Sequence, residues 1–140
     1  MIKTLPILLM VLGLLSLSCD NWEKEPEFLP PLNQTKWRVE GITPQNEGEK
    51  IPSKSTYRLE FINDSTFTLN LDINRMIGKY EVTPYGELNI YEVKKTKDCC
   101  DSQYALLLEQ ILLHTDKFGL SEGGITLSGS GEIYLKHEQL

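Results

Sequence analysis

Few side chains in this chain are equipped for nucleophilic, redox or metal chemistry, since it holds three cysteines and two histidines. Cys99, Cys100, Asp101 and His114 together offer the thiolate, carboxylate and imidazole groups that zinc accepts. Their spacing opposes a shared site. Adjacent cysteines at a strand-to-helix junction tend to point apart, and His114 lies about 19 Å along a helix axis from Asp101 at 1.5 Å per residue. Neither a metal nor a cofactor is expected. Two readings stand for the cysteine pair. Across a trans peptide their Cα atoms are about 3.8 Å apart, below the usual disulfide span, so one thiol would face the core and the other solvent. The alternative is a strained vicinal bridge with a redox or regulatory role.

Catalysis by serine or cysteine needs a base within hydrogen-bond reach, and neither His114 nor His137 sits in a recognised setting. His137 belongs to a polar tail and reads as a solvated imidazole. There is no G-x-S-x-G elbow; Gly129-Ser130-Gly131 and Gly123-Gly124 lack the flanking residues of a dinucleotide loop or P-loop and read as hairpin turns. The carboxylate pairs Glu47/Glu49 and Glu23/Glu25 fall in stretches without periodicity, whereas glycosidase chemistry needs two acids at a fixed separation. The expectation is a protein that is not an enzyme, with no catalytic residues. Five tyrosines, Tyr57, Tyr80, Tyr85, Tyr91 and Tyr134, are better suited to binding; of these, Tyr85 and Tyr91 are expected outside and the others as core or strand-pairing residues.

The third cysteine has a different setting. Lys3 gives a positive start, residues 5–17 are nearly all apolar, and Ser18 stands immediately before Cys19. The run is shorter than the ~20 apolar residues of a transmembrane helix. It reads as a cleaved leader, residues 1–18, with Cys19 as the lipidated first residue of the mature chain. The competing reading is an ordinary secretory leader cut elsewhere. Ser16, three residues before Cys19, departs from the leucine that a strict lipobox prefers, and the relaxed box resembles those of Bacteroidetes-type lipoproteins. In those, acidic residues after the cysteine accompany surface display; Asp20, Glu23, Glu25 and Glu27 fit. The expected address is the cell envelope, by a lipid anchor, at the outer membrane on its periplasmic or surface face.

Removing residues 1–18 takes Lys3 and no acid, leaving 13 basic and 20 acidic side chains and a formal charge of −7. Such a surface repels a polyanion, and Lys94, Lys95 and Lys97 are too few to reverse it, so nucleic acid is not an expected partner. The expected partners are the membrane, through the anchor, and an envelope protein or glycan. Residues 19–32 carry Pro26, Pro30 and Pro31 among acids and read as a solvated tether. Residues 33–140 are enough for one core.

Alternation predicts the strands. Trp37 and Val39 mark the first, residues 41–55 read as a loop, and Tyr57, Leu59, Phe61 followed by Phe67, Leu69, Leu71 read as a hairpin turning at Asn63-Asp64-Ser65. Tyr80 and Val82, then Leu88 and Ile90, flank a turn at Pro84-Tyr85-Gly86. The period changes once: Tyr104, Leu107, Leu108, Ile111 and Leu112 recur at helical spacing, with Gln103, Gln110, His114 and Lys117 opposite and Asp101 or Ser102 as cap. Leu106 and Leu113 widen the apolar face, predicting a helix buried deeply. Phe118/Leu120, Ile125/Leu127 and Ile133/Leu135 then predict a closing meander. Together these give an α+β domain: a curved antiparallel sheet of six to eight strands, an incomplete barrel, with one packed helix.

Residues 32–138 resemble the META/HslJ-like domain. The resemblance rests on LNQTKWRV with Trp37, NRMIGKY with Asn74, Gly78 and Tyr80, TKDCC with Thr96 and Cys100, Glu109 in the helix, and the GGITLSGSGEIYL ending. The family often has a cysteine just before the central asparagine; here Ile73 stands there, so no bridge from that strand to Cys100 can form. The resemblance implies an envelope domain linked to stress and antibiotic tolerance rather than to a defined reaction. It implies that Trp37, Asn74, Gly78, Tyr80, Thr96, Cys100 and Glu109 are structural motif residues. The leading functional expectation is therefore a non-catalytic lipoprotein that supports envelope integrity by binding another envelope component. The alternative is a lipocalin-like carrier holding a small apolar ligand between barrel and helix.

Overall fold

The structure is a computed structural model and describes residues 28–139, so the leader, Cys19 and the first part of the tether lie outside the described residues. Its elements are β1 (Thr35–Pro44), β2 (Ile51–Pro52), β3 (Arg58–Phe61), β4 (Thr66–Asn70), β5 (Arg75–Val82), β6 (Leu88–Lys95), α1 (Gln103–Leu113), β7 (Thr115–Ser121), β8 (Gly124–Gly129) and β9 (Gly131–His137). Every strand pairing is antiparallel, in the order β6-β5-β4-β3-β1-β9-β8-β7, with β2 attached to β1. The sheet curls until its two edge strands meet at one bridge, Glu87 with Lys117, where the Phe118 amide donates to the Gly86 carbonyl at 2.8 Å. This is an α+β fold with an incomplete barrel.

The β3–β4 hairpin forms where alternation predicts it. Leu59 pairs with Leu69 and Phe61 with Phe67, and the Asn63 side chain accepts the Ser65 amide at 2.9 Å to close the turn. At the β5–β6 turn, Gly86 takes a φ of +89°, a backbone conformation that costs a side-chain-bearing residue. Residues 41–55 depart from the expected loop. The β1–β9 register shifts between Val39 and Gly41, after which β1 continues to Pro44, and β2 folds back so that Ile51 pairs with Ile42. A bulge of this kind changes which parity faces inward, and it buries Gly41 and Ile42 together.

One face of the sheet and one stripe of α1 meet in a single core. Phe61, Phe67, Leu69, Met76, Tyr80, Leu127 and Ile133 are all buried, joined by Ala105, Leu108, Ile111 and Leu112 of the helix. Each fully buried side chain of this size contributes about 1.5–3 kcal/mol. Ser102 is the cap: its Oγ accepts the Ala105 amide at 3.2 Å. The helix is narrower in its buried stripe than its leucines predict, because Leu106 and Leu113 are 40% and 39% exposed. It also ends at Leu113, so Lys117 belongs to β7 and not to its polar side. At the other end of the chain, Leu32, expected as the last residue of the solvated tether, is 1% exposed, and Leu29 packs on the core with its amide 3.4 Å from the Pro84 carbonyl. The packed unit therefore begins before Asn33.

Candidate functional site

The densest polar constellation lies where the β4–β5 turn meets the segment before α1. Asn74 is 5% exposed and satisfies its whole amide there. Its Nδ2 donates to the Asp98 carbonyl at 2.7 Å and to Asp101 Oδ2 at 2.6 Å. Its Oδ1 accepts from Thr96 Oγ1 at 2.8 Å and from the Asp98 amide at 2.9 Å. Asp101 Oδ1 in turn accepts the backbone amides of Ile73 and Asn74 at 3.0 and 3.2 Å. Beside it, Asp72 accepts from Tyr57 Oη at 2.8 Å and from the amide and hydroxyl of Ser102 at 2.9 and 2.5 Å. The Ser102 hydroxyl holds the Asp72 carboxyl below the usual carboxylate range, with partial desolvation acting against it. Burial pushes the Asp101 carboxyl up, but hydrogen bonds from Ile73 and Asn74 outweigh that and leave it below its ordinary value. The side-chain oxygens of Asn74, Asp72 and Asp101 all accept from partners within the chain, so the cluster anchors a loop.

The residues considered for chemistry are not gathered. His114 caps the far end of α1 with Nδ1 2.8 Å from the Gln110 carbonyl, and among the described residues no three His, Cys, Asp or Glu side chains form a metal-ready group. His137 is exposed, as expected, and its ring also meets Trp37 edge-on, centroids 5.1 Å apart. Cys99 and Cys100 are both exposed in the segment before α1, which corrects the reading in which one thiol faces the core. Glu47 and Glu49 lie in the exposed stretch between β1 and β2. Tyr57 and Tyr80 are buried, Tyr85 is 64% exposed and Tyr91 half-buried. Tyr134 is not a core residue. It stands half-exposed on the outer face, with Lys50 Nζ 4.6 Å from its ring centroid. Its position between Ile133 and Leu135, which are buried, was the available signal.

The space between barrel and helix is filled. Ala105, Leu108 and Leu112 of the helix are at most 1% exposed, as are Ile42, Leu59 and Phe67 of the sheet. Open space lies at the surface: a cleft of about 570 Å³ runs beside the helix, lined by Pro44, Leu107, Gln110, Ile111, His114 and Ser130 among others, and two grooves lie on the outer face of β4, β5 and β6. One groove of about 540 Å³ is lined by Ile77, Gly78, Lys79, Glu92, Val93 and Lys94. A second, of about 390 Å³, is lined by Ile62, Thr68, Arg75, Ile77, Lys94, Lys95 and Thr96. They share Ile77 and Lys94, which are register partners, and Ile62 and Ile77 are 40% and 47% exposed. A bulge at Glu92 and Val93, opposite Gly78 and with Glu92 at φ +50°, swings Lys94 over the groove. No sequence pattern marks this bulge.

The family model of the META domain matches residues 30–139. The chain belongs to the META domain family. No curated protein matches it. In three dimensions this META domain is similar to a protein from Burkholderia xenovorans solved by NMR, with a TM-score of 0.62 at 15% identity, over 83% of this chain and 93% of that one. At that identity the likeness is one of fold.

In this META domain every motif position but Cys100 has a traceable contact. Trp37 Nε1 donates to Thr35 Oγ1 at 2.7 Å while its ring is buried. Tyr80 Oη donates to the Asn63 carbonyl at 2.6 Å and its ring meets Phe61 edge-on. Gly78 leaves room for Phe67: a Cβ there would come within 2.7 Å of the phenyl ring and 2.9 Å of Val93. Thr96 Oγ1 also accepts the Arg75 amide at 3.0 Å. Glu109 pairs with Lys95 at 2.6 Å, tying α1 to the end of β6. Cys100 stands apart as an exposed residue of the loop that Asn74 holds.

Proposed function

We propose that this protein is a lipid-anchored envelope protein whose META domain has no catalytic role and acts by binding another envelope component, so supporting envelope integrity under stress. Cys19 and its leader motivate the anchor; the outer membrane, on either its periplasmic or its surface face, is the address that fits. The observation that carries the binding role is the outer face of β4–β6, where two exposed isoleucines lie among cations on a domain whose interior is filled. The same filled interior favours this reading over a carrier.

The anchor is tested by metabolic labelling with palmitate. Wild-type protein should take label and fractionate with membranes, and Cys19→Ser should do neither; equal fractionation of the two would remove the anchor from the proposal. The binding role is tested in the intact envelope with a photo-crosslinking residue at Ile77 and, as control, at Leu120 on β7. A discrete product from Ile77 alone supports it, and identical patterns from both positions would overturn it. Loss of the protein should also sensitise cells to detergent.

A further inference from the structure

We propose that the groove along β5 receives an extended acidic segment of a partner protein, one apolar side chain seated at Ile77 between two carboxylates that meet Arg75 and Lys79. This deepens the binding role above and rests on it. Arg75, Ile77 and Lys79 alternate on one strand and all point outward, since Met76, Gly78 and Tyr80 between them are buried. Outward side chains on a strand recur about every 6.6–6.8 Å, so the two cations stand about 13 Å apart with the isoleucine midway. A second extended chain laid along β5 repeats at the same interval, and carboxylate, apolar and carboxylate at alternate positions fall opposite cation, isoleucine and cation.

Among the described residues the cations have no acidic partner. The ion pairs among the described residues engage Lys36, Arg38, Arg58 and Lys95, and none takes Arg75, Lys79 or Lys94. Lys79 Nζ reaches only Thr66 Oγ1, at 3.4 Å. Against them the groove carries one acid, Glu92, while Glu81 farther along β5 is engaged by Tyr91 Oη at 3.3 Å. A cationic strip on a chain of net charge −6 stands out. Charge complementarity thus points to an acidic partner, and the floor of Ile62, Thr68 and Ile77 to an apolar side chain within it. A peptide fits better than an anionic bilayer. The whole chain repels a charged plane, whereas a short segment senses the local strip within a Debye length of about 8 Å.

The test uses the full chain and a synthetic nonapeptide of serine and threonine with glutamate at its third and seventh positions and isoleucine at its fifth. Saturable binding is expected, with backbone amide shifts confined to Ile62, β4, β5 and β6 and affinity falling as salt is raised. Lys94→Glu and Ile77→Ser should each weaken it by about tenfold. Leu120→Ser should leave it unchanged, and Arg75→Glu stands in should either variant fail to fold by its thermal transition. Binding of a scrambled peptide as tightly, absence of saturation, or vesicles of phosphatidylglycerol binding in place of the peptide would each overturn the proposal. Were the peptide to fail while Ile77 still crosslinked to an envelope component, the binding role would stand and the acidic-peptide assignment would fall.

Discussion

The Asn74 side chain donates to Asp101 Oδ2 at 2.6 Å while its own backbone amide donates to Oδ1 of the same carboxylate at 3.2 Å, so two residues 27 positions apart are locked face to face. Removing the amide orphans the Thr96 hydroxyl and the amide and carbonyl of Asp98 at once. Asn74→Ala should therefore lower stability by about 2–4 kcal/mol. Asn74→Asp should cost at least as much at neutral pH, because it sets two carboxylates against each other, and should recover part of the loss in acid as one of them protonates. Chemical denaturation at pH 7 and pH 4.5 measures both effects; equal losses at the two pH values would refute the pairing.

Acid should unfold this domain through Asp72 and Asp101. Both carboxyls lie below their ordinary values when folded. A depressed folded pKa means that the unfolded chain takes up protons first. The stability they supply is complete above the unfolded carboxylate value of about 3.9 and is lost as pH falls toward the folded values. Asp72→Asn should lower the melting temperature at pH 7 and flatten its decline between about pH 5 and pH 2. A decline as steep as that of the wild type would show that Asp72 is not a source of it.

Gly78→Ala should cost about 1–3 kcal/mol by overpacking, since the added methyl would stand 2.7 Å from the Phe67 ring. Phe67→Leu in the same chain should return part of that loss even though alone it destabilises. The double-mutant cycle on denaturation midpoints checks this, and additive losses would contradict the contact.

The helix leucines should divide by position. Leu108→Ala removes a side chain that is 1% exposed and should cost about 2–5 kcal/mol. Leu113→Ala, at 39% exposure, should cost about 1 kcal/mol or less. Similar losses for the two would restore the deeply buried helix that the leucine count predicts.

How much was legible follows from how local each feature is. The β3–β4 hairpin reads directly, because Leu59, Phe61, Phe67 and Leu69 alternate without interruption around an asparagine turn. The helix reads from its period, but periodicity reports which leucines could be buried and not how wide a stripe the barrel covers; Leu106 and Leu113 fall outside it. The strand part of residues 41–52 is hidden because its pairing comes from β9, some 90 residues away, and because the bulge after Val39 breaks the alternation on which a strand is recognised. The motif residues Asn74 and Thr96 were visible as letters only. That they bond to one another depends on a turn and a loop meeting in space, and no local pattern encodes that. The groove on β4–β6 is the least legible part, since it requires Lys94 to stand opposite Ile77 across a bulge.

The first strand of this sheet is zipped to the last. β1 takes β3 on one side and β9 on the other, with partners from Trp37–His137 to Pro44–Gly131. A chain in which β9 is still unmade leaves the centre of the sheet as a raw margin, and closing it spans nearly the whole domain. The seam makes closure wait on β9: the domain stays pliable until that strand arrives, then sets as one piece.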